Sequence, residues 1–524
     1  MKKIIFLIIA MVALQICFVA PHAAATASSE TLALLEARLE RWDVAEIWPD
    51  LQEALASQPQ DADLLEMAAL IAFHRGDYPK SLELIKASMA VAGEDQNRRS
   101  FALFIEQTIS VLAPFQRHET PHFVILLDGT QDGILLDYLT DALEKTYVVM
   151  ALQYGFRPGE KVRVELFPDA KSFYQASTLS VRDIEVTGAV GLTKFNKLQF
   201  LSPRALIHGY RWLDAISHEY MHYLIVKMTA NNAPIWFHEG LSKYEETRWR
   251  KGPGYLSPLY RTLLSQALTD DSLIAFAKME PSLIHLKTPE EVQLAYAQAA
   301  SAIEFIIDRV GYDGLKDVIT AMARNRTKGA GDAIRKVLGI DVSEFEQQWT
   351  KFLASKELVP LTSARVHPYK VREKNVDAQR MDLVEIKSLV ARNRAHLGDR
   401  LKDRGRTGAA VIEYRRALSE TQDSIPVMNR LSAALIDLGR DQDALKVLQR
   451  ILELAPDHPA PYTHLGQVYL RRNDFEQAKT AFEESLQINP FNPEIHVGLA
   501  HAYARLGDSV RSSKERQIAR TLGR

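Results

Sequence analysis

The sequence predicts an α+β domain, with a small mixed sheet and several helices, flanked on both sides by all-α repeats of helical hairpins. Two observations predict this architecture. A 34-residue period runs through the C-terminal third, whereas residues 116–358 contain no repeat and combine short β-branched runs with extended helical periodicity. The length of 524 residues suits three or four domains, and 47% hydrophobic with 25% charged residues is ordinary globular composition.

The charge of the chain is balanced, because 64 Lys and Arg residues stand against 66 Asp and Glu residues and give a formal net charge of −2. No long block carries charge of one sign only. Such a chain lacks the basic surface that binds nucleic acid, so we expect no nucleic-acid partner. The composition also excludes a wholly disordered chain and a membrane protein with several spans.

Residues 1–27 have the order of a secretory signal peptide. Two lysines precede an apolar run over 4–20, and small residues follow, with 25–27 as the expected cleavage site. We therefore expect an exported protein, periplasmic or secreted, with no stable membrane insertion after the signal is removed. In the alternative, the segment stays uncleaved and anchors the protein to the inner membrane.

The single cysteine of the chain, Cys17, lies within this apolar run. Once the signal is removed, the mature protein has no thiol, and neither a disulfide nor a cysteine-ligated zinc can form. Any metal must therefore be held by His, Asp or Glu side chains.

The C-terminal segment, residues 391–524, carries a leucine every 34 residues, and each of these leucines is followed by a small residue. The leucines are Leu397, Leu431, Leu465 and Leu499. This pattern resembles the tetratricopeptide repeat, with four units. The resemblance implies stacked pairs of helices whose surface binds a protein partner.

A weaker copy of the same pattern lies in residues 28–115, where 62–95 match the repeat at the same offsets. One or two such units would have difficulty standing alone, so we expect this segment to pack on the domain that follows. Residues 359–390, which contain prolines and scattered basic residues, are expected to be a linker before the C-terminal repeats. The alternative is that they lie across the surface of the middle domain.

Within the middle domain, residues 116–358, strands are expected first and helices afterwards. Helical periodicity dominates from about 210 to 354. The predicted strands are β-branched and aromatic runs bounded by turn residues, and the last two form a hairpin: 123–127, 162–167, 188–192 and 197–201.

The decisive motif is the pentad His-Glu-Tyr-Met-His at 218–222, on a predicted helix rich in apolar residues. His218 and His222 are four residues apart and share one helix face, so both imidazoles can reach one metal ion. Glu219 is rotated by about 100° from His218, which lets its carboxylate address a water molecule on the ion. The alternative is a core helix with two hydrogen-bonded histidines.

A catalytic zinc site needs a third protein ligand and an open fourth position. Positions 225 and 228 are Ile and Met, which excludes the metzincin pattern of Gly and His there. The other solution is a carboxylate on the following helix, and Glu239 stands 17 residues after His222. The neighbouring His238 is a rival ligand. Because adjacent helical residues point about 100° apart, only one of the two should face the ion.

The pentad and the Trp-x-x-Glu-Gly-Leu-x-x-Tyr segment at 236–244 together resemble the gluzincin metallopeptidases, in particular the bacterial peptidase MA-like domain. The resemblance covers about residues 118–355 and implies a zincin-like α+β fold. It implies Zn²⁺ bound by His218, His222 and Glu239, and it favours Glu239 over His238. It also implies that Glu219 is the general base.

Gluzincins often use a Tyr from a later helix to stabilise the oxyanion, and Tyr296 is the candidate here. The alternative is a packed Tyr on an apolar helix face. In this fold the strand before the zinc helix commonly pairs with extended substrate, a role that falls to the hairpin at 188–201. The charged residues Lys243, Glu245 and Glu246 are expected to be solvated helix charges.

These features predict an exported zinc-dependent metallopeptidase that hydrolyses peptide bonds by attack of a zinc-bound water molecule. The Gly-x-Met-Glu-Asn segment of related aminopeptidases is missing, which favours an endopeptidase. The repeats are expected to recruit a protein partner or substrate. The alternative is a repeat-based adaptor with an inactive peptidase-like domain, although an inactive descendant would have no chemical need for Glu219.

Overall fold

The computed structural model describes residues 27–93, 95–177, 188–324, 329–358, 360, 366–367, 369–372 and 382–523. The predicted signal peptide, apart from its last residue, lies outside the described residues. The chain divides into two compact units. The first comprises residues up to Ser202 with Leu213–Tyr255 and Ala267–Glu357, and the second comprises Pro203–Trp212, Leu256–Gln266 and the chain from Leu358 onward.

From Ala27, where the described residues begin, five helices open the first unit, and aspartates at their N-termini fix where three of them begin. Asp61, Asp77 and Asp95 each accept a hydrogen bond from a backbone N–H in the first turn of the helix that follows. The helices are α1 (Ala27–Leu39), α2 (Val44–Ser57), α3 (Ala62–His74), α4 (Tyr78–Ala92) and α5 (Gln96–Leu112).

The sheet of the first unit has five strands among the described residues, in the order β1-β2-β3-β5-β4. The middle pairs, β2 with β3 and β3 with β5, are parallel, whereas β1 with β2 and β4 with β5 are antiparallel. The strands are β1 (Phe115–Glu119), β2 (Phe123–Asp128), β3 (Val162–Phe167), β4 (Gly191–Lys194) and β5 (Lys197–Leu201). This small mixed sheet confirms the predicted α+β class.

Several details of the predicted strands differ from the structure. The first strand of the hairpin begins at Gly191 rather than 188. The hairpin turn lies at 195–196 rather than 193–196, because β4 continues to Lys194, and Phe195 adopts a left-handed conformation with φ of 56°. Strand β1 was not predicted, since four of its five residues are polar and only Phe115 carries the apolar signal of a buried strand.

The N-terminal helices pack on this sheet through a buried polar contact. Tyr78 of α4 donates a hydrogen bond from Oη to Glu165 Oε1 over 2.6 Å, and Glu165 also pairs with Arg163 Nε at 2.6 Å. Lys197 Nζ donates to the Tyr78 hydroxyl over 3.1 Å. Burial disfavours the Glu165 carboxylate, but Lys197 and Arg163 outweigh that cost and lower its pKa.

The remaining helices of the middle domain follow the sheet. Two of them approach so closely that a Cβ at Gly240 in α9 would lie 2.4 Å from the backbone oxygen of Ala299 in α11. Helix α11 is kinked at Gly311, which has a φ of 68°. The helices are α6 (Leu136–Tyr154), α7 (Ala170–Ala176), α8 (Trp212–Thr229), α9 (Ile235–Glu245), α10 (Pro258–Thr269), α11 (Pro289–Arg324), α12 (Gly331–Leu338) and α13 (Val342–Ser355).

The described part of the second unit contains four helical hairpins, and small residues lie where their helices touch. A Cβ at Gly398 would come within 2.4 Å of the Tyr414 ring, and one at Gly466 within 2.6 Å of the Phe482 ring, so packing requires the recurring small residue at these two positions. The helices are α14 (Leu389–Asp403), α15 (Thr407–Glu420), α16 (Ile425–Asp437), α17 (Asp441–Leu454), α18 (Pro459–Arg471), α19 (Phe475–Leu486), α20 (Pro493–Arg505) and α21 (Ser509–Leu522).

The segment Pro203–Trp212, which begins with a 3-10 turn at Pro203–Ala205, belongs to this second unit and is hydrogen-bonded to the rest of it. Tyr210 N donates to Ile488 O over 3.0 Å, and Arg211 Nη1 pairs with Glu484 Oε2 at 2.9 Å. The described part of the predicted linker joins the same segment, since Arg372 N donates to Ala205 O over 2.7 Å. None of the helices that the structure describes has the length and apolar character needed to cross a membrane.

Candidate active site

The pentad and the predicted third ligand meet between α8 and α9, which are joined by a short turn. His218 and His222 lie one helical turn apart on α8, and their Nε2 atoms are 3.1 Å apart. Glu239, on α9, places its Oε2 atom 3.4 Å from the Nε2 atoms of both imidazoles. The structure therefore brings together the three residues that the sequence singled out as metal ligands.

The dimensions of this triangle fit a tetrahedral metal site. Bonds of 2.0–2.1 Å to a tetrahedral zinc separate any two ligand atoms by about 3.3 Å. The three observed separations are 3.1, 3.4 and 3.4 Å. In addition, Glu239 Oε2 is buried and makes no hydrogen bond of normal length, so a cation there would satisfy it.

Electrostatics at the site favour a cation as well. Burial by itself would lower the pKa of His218, but Glu239 and Glu246 outweigh it and raise that pKa to about 9. Burial likewise opposes ionisation of Glu239, yet the two imidazoles hold the pKa of its carboxyl well below the usual range. The site thus keeps a buried carboxylate charge next to two imidazoles that could bind a metal ion.

Glu246, directly after α9, contacts the far side of His218. Its Oε2 atom lies 3.4 Å from His218 Nδ1, and its Oε1 atom pairs with Lys243 Nζ at 2.7 Å. The expectation that Glu245 and Glu246 are solvated helix charges is wrong. Glu246 is 8% exposed, and Glu245 is fully buried with a hydrogen bond from Tyr154 Oη over 2.7 Å.

A signal for Glu246 was present in the sequence. It follows Glu239 by seven residues, which is two helical turns, so both carboxylates lie on one face of the same helical run. A carboxylate on the second nitrogen of a metal-ligating His fixes the tautomer and the orientation of the ring. Glu246 has the position for this role.

We expect Glu246→Gln to weaken zinc binding about 10- to 100-fold, because the amide orients His218 less strongly and removes a nearby negative charge. The measurement is the zinc dissociation constant of the purified protein in competition with a chromogenic chelator. Glu344→Gln, on the exposed N-terminal turn of α13, is the control. Unchanged zinc affinity in Glu246→Gln would show that the contact does not orient the ligand.

The other predicted site residues lie close to the triangle but outside it. Glu219 is one residue beyond His218, and its carboxylate contacts Thr193 of β4. Tyr296, on α11, has its ring centroid 6.3 Å from that of His218. The rival ligand His238 is buried, with its ring 5.7 Å from that of His222, and does not belong to the group of converging ligand atoms.

A second cluster of potential ligands lies in the other unit and differs in its charges. His208 Nε2 is 3.8 Å from Asp382 Oδ1 and 4.0 Å from Glu385 Oε1. The same Glu385 oxygen pairs with Lys370 Nζ at 2.8 Å. An ammonium group therefore already compensates this carboxylate, in contrast to Glu239.

Fold and site together define a peptidase-like domain combined with protein-interaction repeats. Residues 142–355 match the Peptidase MA superfamily, and residues 30–92 and 423–490 match tetratricopeptide repeat families. The chain thus contains a Peptidase MA superfamily domain between two sets of tetratricopeptide repeats. Members of this superfamily are typically metal-dependent.

Curated relatives match this chain over only a small part of their own length. The Hsp70-Hsp90 organizing protein of Triticum aestivum is 29% identical over 113 residues, which are 20% of this chain and 19% of that protein. The general transcriptional corepressor trfA of Dictyostelium discoideum is 26% identical over 114 residues, 21% of this chain and 8% of that protein. The chain spans less than a third of the length of these relatives.

Solved structures are also similar to about a quarter of the chain. TTC0263, a thermophilic TPR protein of Thermus thermophilus, is 24% identical with a TM-score of 0.24, covering 25% of this chain and 74% of that one. MamA from Desulfovibrio magneticus is 19% identical with a TM-score of 0.24, covering 28% and 86%.

Proposed function

We propose that the protein is an exported zinc-dependent metallopeptidase whose repeats bind a protein partner or substrate. The observation that carries this proposal is the triangle of His218, His222 and Glu239, with ligand atoms 3.1–3.4 Å apart. These donors fit zinc, because a catalytic zinc takes three His or carboxylate ligands and leaves a fourth position for solvent. The run of residues 1–27 supports export.

Each residue of the site has a role in peptide hydrolysis. Zinc held by the triangle would supply a Lewis acid that acidifies water and polarises the peptide carbonyl. Glu219, adjacent to a ligand but outside the triangle, takes the proton of the attacking water and delivers it to the leaving amine. Tyr296, near His218, stabilises the negative charge that develops on the carbonyl oxygen.

The substrate is held by the edge of the sheet. Among the described strands β4 has a neighbour on one side only, so its other edge is available for an extended peptide. Pairing of this kind uses backbone groups and needs no free terminus. We therefore propose an endopeptidase that accepts unfolded or extended protein segments.

The test is to remove metal from the protein, titrate it with zinc, and assay cleavage of several unfolded proteins by mass spectrometry. We expect one zinc per chain, cleavage at internal bonds only after zinc is added, and loss of cleavage on chelation. One bound zinc without cleavage of any substrate would instead favour the adaptor, in which the repeats alone carry the function.

A further inference from the structure

The carboxylate of Glu219 is held by a side chain from the edge strand. Thr193 Oγ1, on β4, lies 2.6 Å from Glu219 Oε2 and 2.8 Å from Glu219 O. A hydroxyl has a single hydrogen to donate, and the carboxylate is the stronger acceptor. The 2.6 Å separation is typical of a charge-assisted hydrogen bond.

The same strand leaves room for the other half of this carboxylate. Gly191, two residues before Thr193 on β4, faces the same side of the sheet. A Cβ at Gly191 would lie 2.7 Å from Glu219 Cγ and 2.9 Å from Oε1. Glycine at this position thus gives Glu219 the space that any other residue would fill.

Strand β4 is itself firmly placed, because its hairpin turn is packed. The Phe195 ring lies 3.8 Å from the His74 ring and 5.2 Å from the Trp42 ring, centroid to centroid. Thr193 is 5% exposed. A buried hydroxyl on a fixed strand can hold its partner in one orientation, whereas a surface hydroxyl cannot.

We propose that Thr193 is a positioning residue for Glu219, an inference that rests on the proposed peptidase function. The hydroxyl engages Oε2 and leaves Oε1 to accept the proton of the attacking water. Because Thr193 lies on the strand that we propose pairs with substrate, the general base and the bound peptide share one rigid support. The hydroxyl therefore matters for turnover and not for zinc binding.

The test compares Thr193→Val, which keeps the shape and removes the hydroxyl, with Thr193→Ser, which restores the hydroxyl. We expect Thr193→Val to lower kcat about 10- to 100-fold, the value of a hydrogen bond to a charged group, with KM changed less than threefold (about 0.7 kcal/mol). Zinc content should stay at the wild-type level, and Thr193→Ser should recover most of kcat. Thr108→Val, which removes a buried hydroxyl in α5, is the matched control.

A second measurement does not depend on activity. Urea unfolding of the metal-free protein is compared for Thr193→Val, Glu219→Met and the double variant. If the side chains of Thr193 and Glu219 are hydrogen-bonded, we expect Thr193→Val to shift the unfolding midpoint at least twice as far in the wild-type background as in the Glu219→Met background.

Equal midpoint shifts in both backgrounds would overturn the proposal, as would wild-type kcat in Thr193→Val or a Thr193→Ser variant as slow as Thr193→Val. Should the wild-type protein cleave no substrate, the proposed function fails, and the unfolding cycle still decides whether Thr193 holds Glu219.

Discussion

Glu219→Gln is expected to abolish peptide hydrolysis while leaving zinc bound. The amide has the size of the carboxylate and cannot accept the proton of an attacking water, so we expect kcat to fall about 10²- to 10⁴-fold, the usual contribution of a general base. Zinc binding should persist because the three converging ligand atoms belong to other residues. The measurement pairs zinc stoichiometry by elemental analysis with cleavage of an unfolded protein.

The control is Glu53→Gln, which makes the same chemical change at an exposed helix position away from the site. The zinc content of both variants should equal that of the wild type. A Glu219→Gln variant that cleaves at the wild-type rate would remove Glu219 from the chemistry. A variant that loses zinc together with activity would make Glu219 part of the metal site instead.

Glu239→Gln is expected to cost more zinc affinity than any other single change outside the two histidines. It replaces the only negatively charged ligand with a neutral amide, so we expect the zinc dissociation constant to rise more than about 100-fold, beyond the 10- to 100-fold typical of residues that only support a ligand. Activity should fall in parallel and return in part at high zinc concentration. Competition with a chelator of known affinity gives the constant.

His238→Asn decides between the two neighbouring candidates for the third ligand. His238 is buried beside His222 but is absent from the group of converging ligand atoms, so its replacement should leave zinc affinity within about threefold of the wild type, less than the 10- to 100-fold loss typical of residues that support a ligand. If His238→Asn loses zinc and Glu239→Gln retains it, the ligand assignment must be exchanged.

The sequence predicts those parts of the site whose geometry depends on residues close together in the chain. Two histidines four residues apart share a helix face wherever the helix lies, and Glu239 follows them after one turn of the chain. The repeats could be predicted for a similar reason, because a 34-residue period in the sequence determines how their helices pack. The fold class followed from the same patterns.

The features that the sequence did not predict depend on contacts between residues that are far apart in the chain. Thr193 meets Glu219 across 26 residues, and only the sheet order places β4 beside α8. Strand β1 is recognised by its pairing with β2 and not by its own polar composition. The burial of Glu245 likewise follows from Tyr154, 91 residues away in the chain.

The buried contact of Tyr78 with Glu165 limits where a truncated form of this protein can begin. The superfamily match begins at residue 142, yet Tyr78 and two of the five strands that the structure describes precede it. A fragment starting at 142 would leave β3 as a bare edge, which invites aggregation. A fragment starting at 116 would lack Tyr78, which bonds the buried Glu165 carboxylate. It would also lack Trp42 and His74, which cover the Phe195 ring. A stable fragment of the peptidase-like domain therefore has to begin before Trp42 and α2.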